Sequence, residues 1–185
     1  MDGSLLLWGG LALCVFWGVG VHNRLMRIRA RGLSALGSAE KHVRVYADLA
    51  HEVMTSVPAG GAHPQTPVAG ASLDGWARLQ SAWQALDQAW KDAKPSPLAV
   101  EPLARVAQAF DHLQDAWRQL NDVPPDLAGP VVPATLRTQW EAITQRVETA
   151  RGGFNQISIL YNEALDQFPA SLVVRFMGFQ PSGRL

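Results

Sequence analysis

Apolar residues recur along most of this chain at steps of three and four, the spacing that keeps them on one face of an α-helix. Leu25, Ile28, Gly32, Leu36, Ala39, Val43, Tyr46, Ala50 and Val53 form the first such stripe and predict a long helix running to Thr55, weakened by Gly32 and Gly37. The segment "VPAGGAHPQTPVAGAS", 57–72, breaks the period with prolines and glycines and is expected to be a loop at the far tip. From Leu73 the stripe resumes as Trp76, Leu79, Trp83, Leu86 and Trp90 and stops before "KPSP". A third helix carries Leu103, Val106, Phe110, Leu113, Trp117 and Leu120, with Pro97 or Pro102 suited to its first turn. After "NDVPPDLAGPVVP" the fourth presents Leu136, Trp140, Ile143, Val147, Ala150, Phe154, Ile157, Tyr161, Ala164 and Phe168. There Phe154, Tyr161 and Phe168 take one core position of successive heptads, and Pro169 ends the helix because it has no N–H to donate. No run alternates with the period of two that a half-buried strand requires, so the chain is expected to be all-α: an antiparallel up-down four-helix bundle with long first and fourth helices.

Ahead of the first stripe, "LLLWGGLALCVFWGVGV", Leu5 to Val21, is uncharged and apolar on every side, which predicts an N-terminal transmembrane helix. A signal peptide would carry basic residues before the run and small residues after it. Here "MDGS" precedes it and "HNRLMRIRARG" follows. Arg24, Arg27, Arg29 and Arg31 lie beyond the run and Asp2 before it, so the positive-inside bias places the N-terminus outside and the remainder in the cytoplasm. The expected organisation is an external 1–4, a span at 5–21, a cytoplasmic bundle over 22–169 and an apolar C-terminal tail over 170–185. The same arginines are candidate lipid-facing residues. Gly10, Cys14 and Gly18, spaced by four, offer a smooth face on which two copies of the span could pack into a homo-oligomer.

Composition narrows the functional classes. Sixteen basic residues balance sixteen acidic ones in 185, so no global field points to nucleic acid. The single cysteine, Cys14, supports neither a disulfide framework nor a cysteine metal site. "HEVMT", His51 to Thr55, starts like a zinc-protease helix but lacks the second histidine, and the other histidines are scattered. Asp111 and Asp115, with Arg118 nearby, look like a solvated helix face. There is no nucleophile elbow and no phosphate loop. The chain is therefore expected to be non-enzymatic and to need no cofactor or metal.

The closing segment "ARGGFNQISILYNEALDQFPASLVVRFMGFQP" resembles the LemA family of bacterial membrane proteins. Ala150, Arg151, Phe154, Asn155, Tyr161, Asn162, Phe168, Pro169, Gly178 and Phe179 fall on that family's closing pattern. "PPDLA", Pro124 to Ala128, is similar to the loop before its last helix, and "NRLMRIR" to its opening. Departures occur at Val45 and Tyr46, where the family carries basic residues, at His51-Glu52, where it carries Pro-Asn, and at Thr144, where a Glu is common. The resemblance implies an N-out single span carrying a cytoplasmic bundle, and supplies no enzymatic activity.

Two functions compete on these grounds. One is an interaction or scaffold module at the inner face of the bacterial membrane, gathering membrane or envelope proteins. The other is a membrane-shaping or lipid-contacting protein that works through the basic collar and the apolar tail. Asn155, Ile159, Asn162 and Asp166 share one flank of the fourth helix, where the asparagines are expected either to bond a neighbouring helix or water, or to form a partner-contacting stripe. Because the second and third helices are shorter than the first and fourth, Leu25, Ile28, Tyr161 and Leu165 are left poorly covered near the membrane. Leu172, Val173, Phe176 and Phe179 are expected to fold back over that gap, the rival being that they dip into the head-group region.

Overall fold

The computed structural model describes residues 2–56, 67–123, 131–168 and 170–185, with the backbone alone for 2–6, 47, 50–56 and 67–73. Five helices follow in order: α1 Asp2–Ser56, α2 Pro67–Ala93, α3 Val100–Asn121, α4 Ala134–Asp166 and α5 Ala170–Met177. Among the described residues there is no strand, in keeping with the all-α expectation. α2 starts at Pro67, six residues ahead of the expected boundary of the 57–72 loop; proline at a first helical position loses nothing, because that N–H has no partner inside the helix. Residues 57–66 and "PPDLA" lie outside the described residues.

α1 pairs with α4 and α2 with α3, each pair antiparallel. Within the second pair the Leu120 side chain lies on Gly75, where a Cβ would stand 2.7 Å from Leu120 Cδ1. Between the pairs, contact is carried by large aromatic side chains. The Trp117 ring of α3 stacks on Trp140 of α4 at 4.1 Å, and Tyr46 of α1 lies 4.4 Å from Trp140 and 6.3 Å from Phe110. Such pairs add roughly 0.5–1.5 kcal/mol each beyond the area they bury. Around them Leu36, Ala39, Val43, Leu79, Leu86, Leu103, Val106, Leu113 and Val147 complete the main core.

α3, with 22 residues, reaches about 33 Å, and α4, with 33, about 50 Å. The lower α1–α4 stretch therefore extends past the α2–α3 pair and builds a second, smaller core from Leu25, Tyr161, Ala164 and Leu165. The tail does fold back here as the short helix α5, through Phe179 as expected, but with Val174 beside it rather than Leu172 and Phe176. Val174 and Phe179 pack on Val21, Ile28 and the second core, and the Phe179 ring lies 5.8 Å from that of His22. Leu172 is exposed and Phe176 is 92% exposed. Phe168 is also displaced from its expected core position. α4 ends at Asp166, Gln167 is already extended, and Phe168 is left 82% exposed. The buried stripe instead takes in Ser158 and Leu165.

α1 is one uninterrupted helix of 55 residues. Among the described residues, no helix is long and apolar enough to cross a membrane. Leu5 and Leu6, which open the apolar run, have side chains outside the described residues.

Candidate functional site

The asparagines of α4 hold the chain's own C-terminal segment. α5 stops at Gly178, whose φ of +69° is a conformation that costs glycine nothing, and the Phe179 N–H donates back to the Val174 oxygen at 3.2 Å. This closing turn sends residues 179–185 along α4 in the opposite direction. The Asn162 side chain donates to the Ser182 oxygen and accepts from the Ser182 N–H, both at 2.8 Å. Asn155 makes the same pair of bonds with the oxygen and N–H of Leu185, again both at 2.8 Å. The register follows from geometry. Seven helical residues rise about 10.5 Å, and three extended residues span about 10 Å, so two amides seven apart on a helix match backbone groups three apart on an extended segment.

Side chains then fix which residues fit the segment. Gly183 is buried against the start of α3, donates to the Leu98 oxygen at 2.9 Å, and would place a Cβ only 2.9 Å from Val100 Cα. Ser182 meets Ser158 at 3.2 Å between hydroxyl oxygens. The Leu185 side chain enters the main core among Val43, Leu86, Val106 and Phe110, leaving a void of ≈ 10 Å³, at the limit of one water. Of the expected partner stripe, Asn155 and Asn162 are thus occupied in cis, Ile159 is half-buried, and Asp166 is exposed beyond them. The asparagines bond neither a neighbouring helix nor water alone, but the backbone of a segment that sequence reading had treated only as an apolar tail.

The four arginines after the apolar run separate onto two flanks. Arg24, Arg27 and Arg31 line a groove of ≈ 320 Å³ between α1 and α4, opposite Leu160, Glu163 and Gln167. Arg29 faces the other flank, beside Tyr161, Met177 and Phe179. None of the four takes part in an ion pair among the described residues. Toward the N-terminus, Gly10 and Cys14 are exposed, Gly18 is partly so, and a Cβ on either glycine meets nothing within 4 Å.

In the main core a chain of polar side chains crosses from α1 to α3 and α4. The Tyr46 hydroxyl donates to Thr144 Oγ1 at 2.8 Å and accepts from Gln114 Nε2 at 3.0 Å, while Thr144 donates to the Trp140 oxygen at 2.9 Å. A neutral hydrogen-bond chain therefore links α1, α3 and α4 inside the main core. Burial pushes the Tyr46 phenol above its usual range, against the bond accepted from Gln114, which favours its ionised form. Asp111 is not merely solvated: it pairs with Arg151 of α4 at 3.1 Å, and that guanidinium lies 5.4 Å from the Phe110 ring centroid. Asp115 and Arg118 pair at 2.8 Å on the exposed face. No group of three metal-ligating side chains occurs among the described residues.

No curated protein and no solved structure matches the chain. The sequence pattern of the LemA family does match, over residues 79–184. That range takes in most of α2, all of α3, α4 and α5, both asparagine clamps and nearly all of the segment they hold, while "NRLMRIR" lies outside it. Since the matched part is more than half of the 185 residues, the chain belongs to the LemA family.

Proposed function

We propose that this protein is a single-pass, membrane-anchored helical bundle that works without catalysis as an interaction or scaffold module at the inner face of the bacterial cell membrane, N-terminus outside. The observation that carries this reading is the change of surface along α1. From Leu25 to Leu49 one stripe is buried and most of the remaining described surface is polar, with Met26, Leu33 and Val45 exposed among it. Before it, apolar residues are exposed on every side: Trp8 is 66% exposed, Leu13 73% and Phe16 83%, with Leu7, Leu11, Val15 and Val19 between them. A helix apolar all round and without protein neighbours is suited to hydrocarbon. The four arginines that follow favour retention on the cytoplasmic side. The clamped tail supports a scaffold role, since it ties α3, α4 and the main core into one rigid body.

A second reading is favoured by a specific feature. Leu172 and Phe176 stand one turn apart on the uncovered side of α5, which sits beside the base of α1, and Phe168 is exposed just ahead of that helix. Such a strip, with Arg175 next to it, suits direct contact with the head-group region. Affinity purification from detergent separates the two. Recovery of a reproducible set of membrane or envelope proteins supports the scaffold, whereas recovery of this chain alone favours lipid contact as the function.

A further inference from the structure

We infer that the groove lined by Arg24, Arg27 and Arg31 is a binding site for the phosphate-bearing headgroup of an anionic phospholipid. The inference deepens the anchored reading and rests on it. Below the α2–α3 pair, the α1–α4 pair has two flanks. One is closed by α5 and by Phe179 of the tail. The other stays open as the ≈ 320 Å³ groove. Its α1 wall carries three guanidinium groups on one side of the helix, and its α4 wall carries the apolar Leu160, 58% exposed, with the Gln167 amide and the Glu163 carboxylate.

Three cations face one carboxylate, so the groove holds an excess of positive charge that no described side chain neutralises. Planar guanidinium forks match phosphate oxygens better than any other side chain. Depth agrees with a headgroup. Arg24 and Arg27 follow Val21 by about 4.5 and 9 Å of helix rise, against a head-group layer roughly 5–7 Å thick on each side of the hydrocarbon. Side chains on a helix lean toward its N-terminus, which here is toward the bilayer, so Arg27 reaches back to that layer, while Arg31, about 15 Å beyond Val21, closes the far end of the groove.

The full chain is reconstituted into nanodiscs of phosphatidylcholine with a minority of phosphatidylglycerol, released by native mass spectrometry, and the retained lipids are counted. Phosphatidylglycerol should be retained in preference to phosphatidylcholine. The combined Arg24→Gln, Arg27→Gln, Arg31→Gln variant should lower that preference about a hundredfold at low salt, taking the usual worth of a basic residue at a membrane surface. Arg29→Gln, on the closed flank, should change it less than about fivefold. Equal retention by the triple variant, or an equal loss in Arg29→Gln, overturns the proposal. Displacement by millimolar inorganic phosphate also overturns it, by making the groove a site for free anions. A chain that does not enter nanodiscs at all refutes the anchored reading itself, and this inference with it. A chain that enters but retains no phosphatidylglycerol refutes this inference alone.

Discussion

Replacing Asn162 by alanine probes the tail clamp directly. The substitution removes two hydrogen bonds of 2.8 Å and leaves the Ser182 N–H and oxygen without partners in a residue that is 5% exposed. An unsatisfied buried group costs about 1–3 kcal/mol. The loss is capped, because the segment can instead detach and rehydrate, giving up chiefly the burial of Leu185, about 1.5–3 kcal/mol. The expected destabilisation is therefore about 2–3 kcal/mol, which for a chain of this size lowers the melting temperature by roughly 4–10 °C. Thermal unfolding of the full chain in neutral detergent, followed by far-UV circular dichroism, measures it. Amide exchange at Ser182 and Leu185 should accelerate together. Asn162→Asp should be no milder, since it keeps the acceptor for the Ser182 N–H but sets an oxygen against the Ser182 carbonyl. Asn155→Ala with Asn162→Ala should cost little more than either alone, because one detachment serves both. A melting temperature within about 1 °C of the parent, with unchanged exchange at both amides, would refute the reasoning.

Gly183→Ala sets a methyl 2.9 Å from the Val100 backbone and should cost about 1–3 kcal/mol in the same melt, with faster exchange at Ser182 and Leu185. Tyr46→Phe removes the link between Gln114 and Thr144 and should cost about 1–2 kcal/mol at neutral pH. Burial raises the Tyr46 and Tyr161 phenols, so the folded chain keeps their protons where the unfolded chain has lost them. Stability is then complete below about pH 10 and falls as pH climbs beyond it. Tyr46→Phe should flatten that alkaline decline in a pH series of melts, and an unchanged slope counts against it. If two spans pack on the small-residue face, Gly10→Leu with Gly18→Leu should reduce crosslinking between copies in membranes, and undiminished crosslinking removes that contact.

The core was largely legible because each of its helices writes its buried face at helical spacing. Trp140, Val147 and Phe154 are buried where the heptad puts them. Phe168 continued the same arithmetic and failed, because α4 stops at Asp166: the helix ends two residues before the heptad does. Proline at 169 is a signal for that early end, since it disfavours helical backbone at the residue before it. The clamp was half legible. Two asparagines seven apart stood out, but their partner is an extended segment, and hydrophobic periodicity carries no information about a run such as Ser182-Gly183-Arg184-Leu185. The available signal was metric, seven helical residues against three extended ones, together with a glycine where two backbones must touch. In the tail the fold-back was expected, and Phe179 packs where it was expected to, while Leu172 and Phe176 stay exposed. Apolar residues surround α5, so its pattern does not say which of them turns inward, and Val174 rather than Leu172 or Phe176 joins Phe179 on the second core.

Membrane topology is the claim on which the functional account stands, and cysteine accessibility in intact cells tests it most directly. With Cys14 replaced, Ser4→Cys and Ser72→Cys are expressed separately in the full chain and exposed to an impermeant thiol reagent. The account predicts labelling at position 4 and none at position 72 until the cells are lysed. Labelling at 72 in intact cells, or protection at 4, would contradict it.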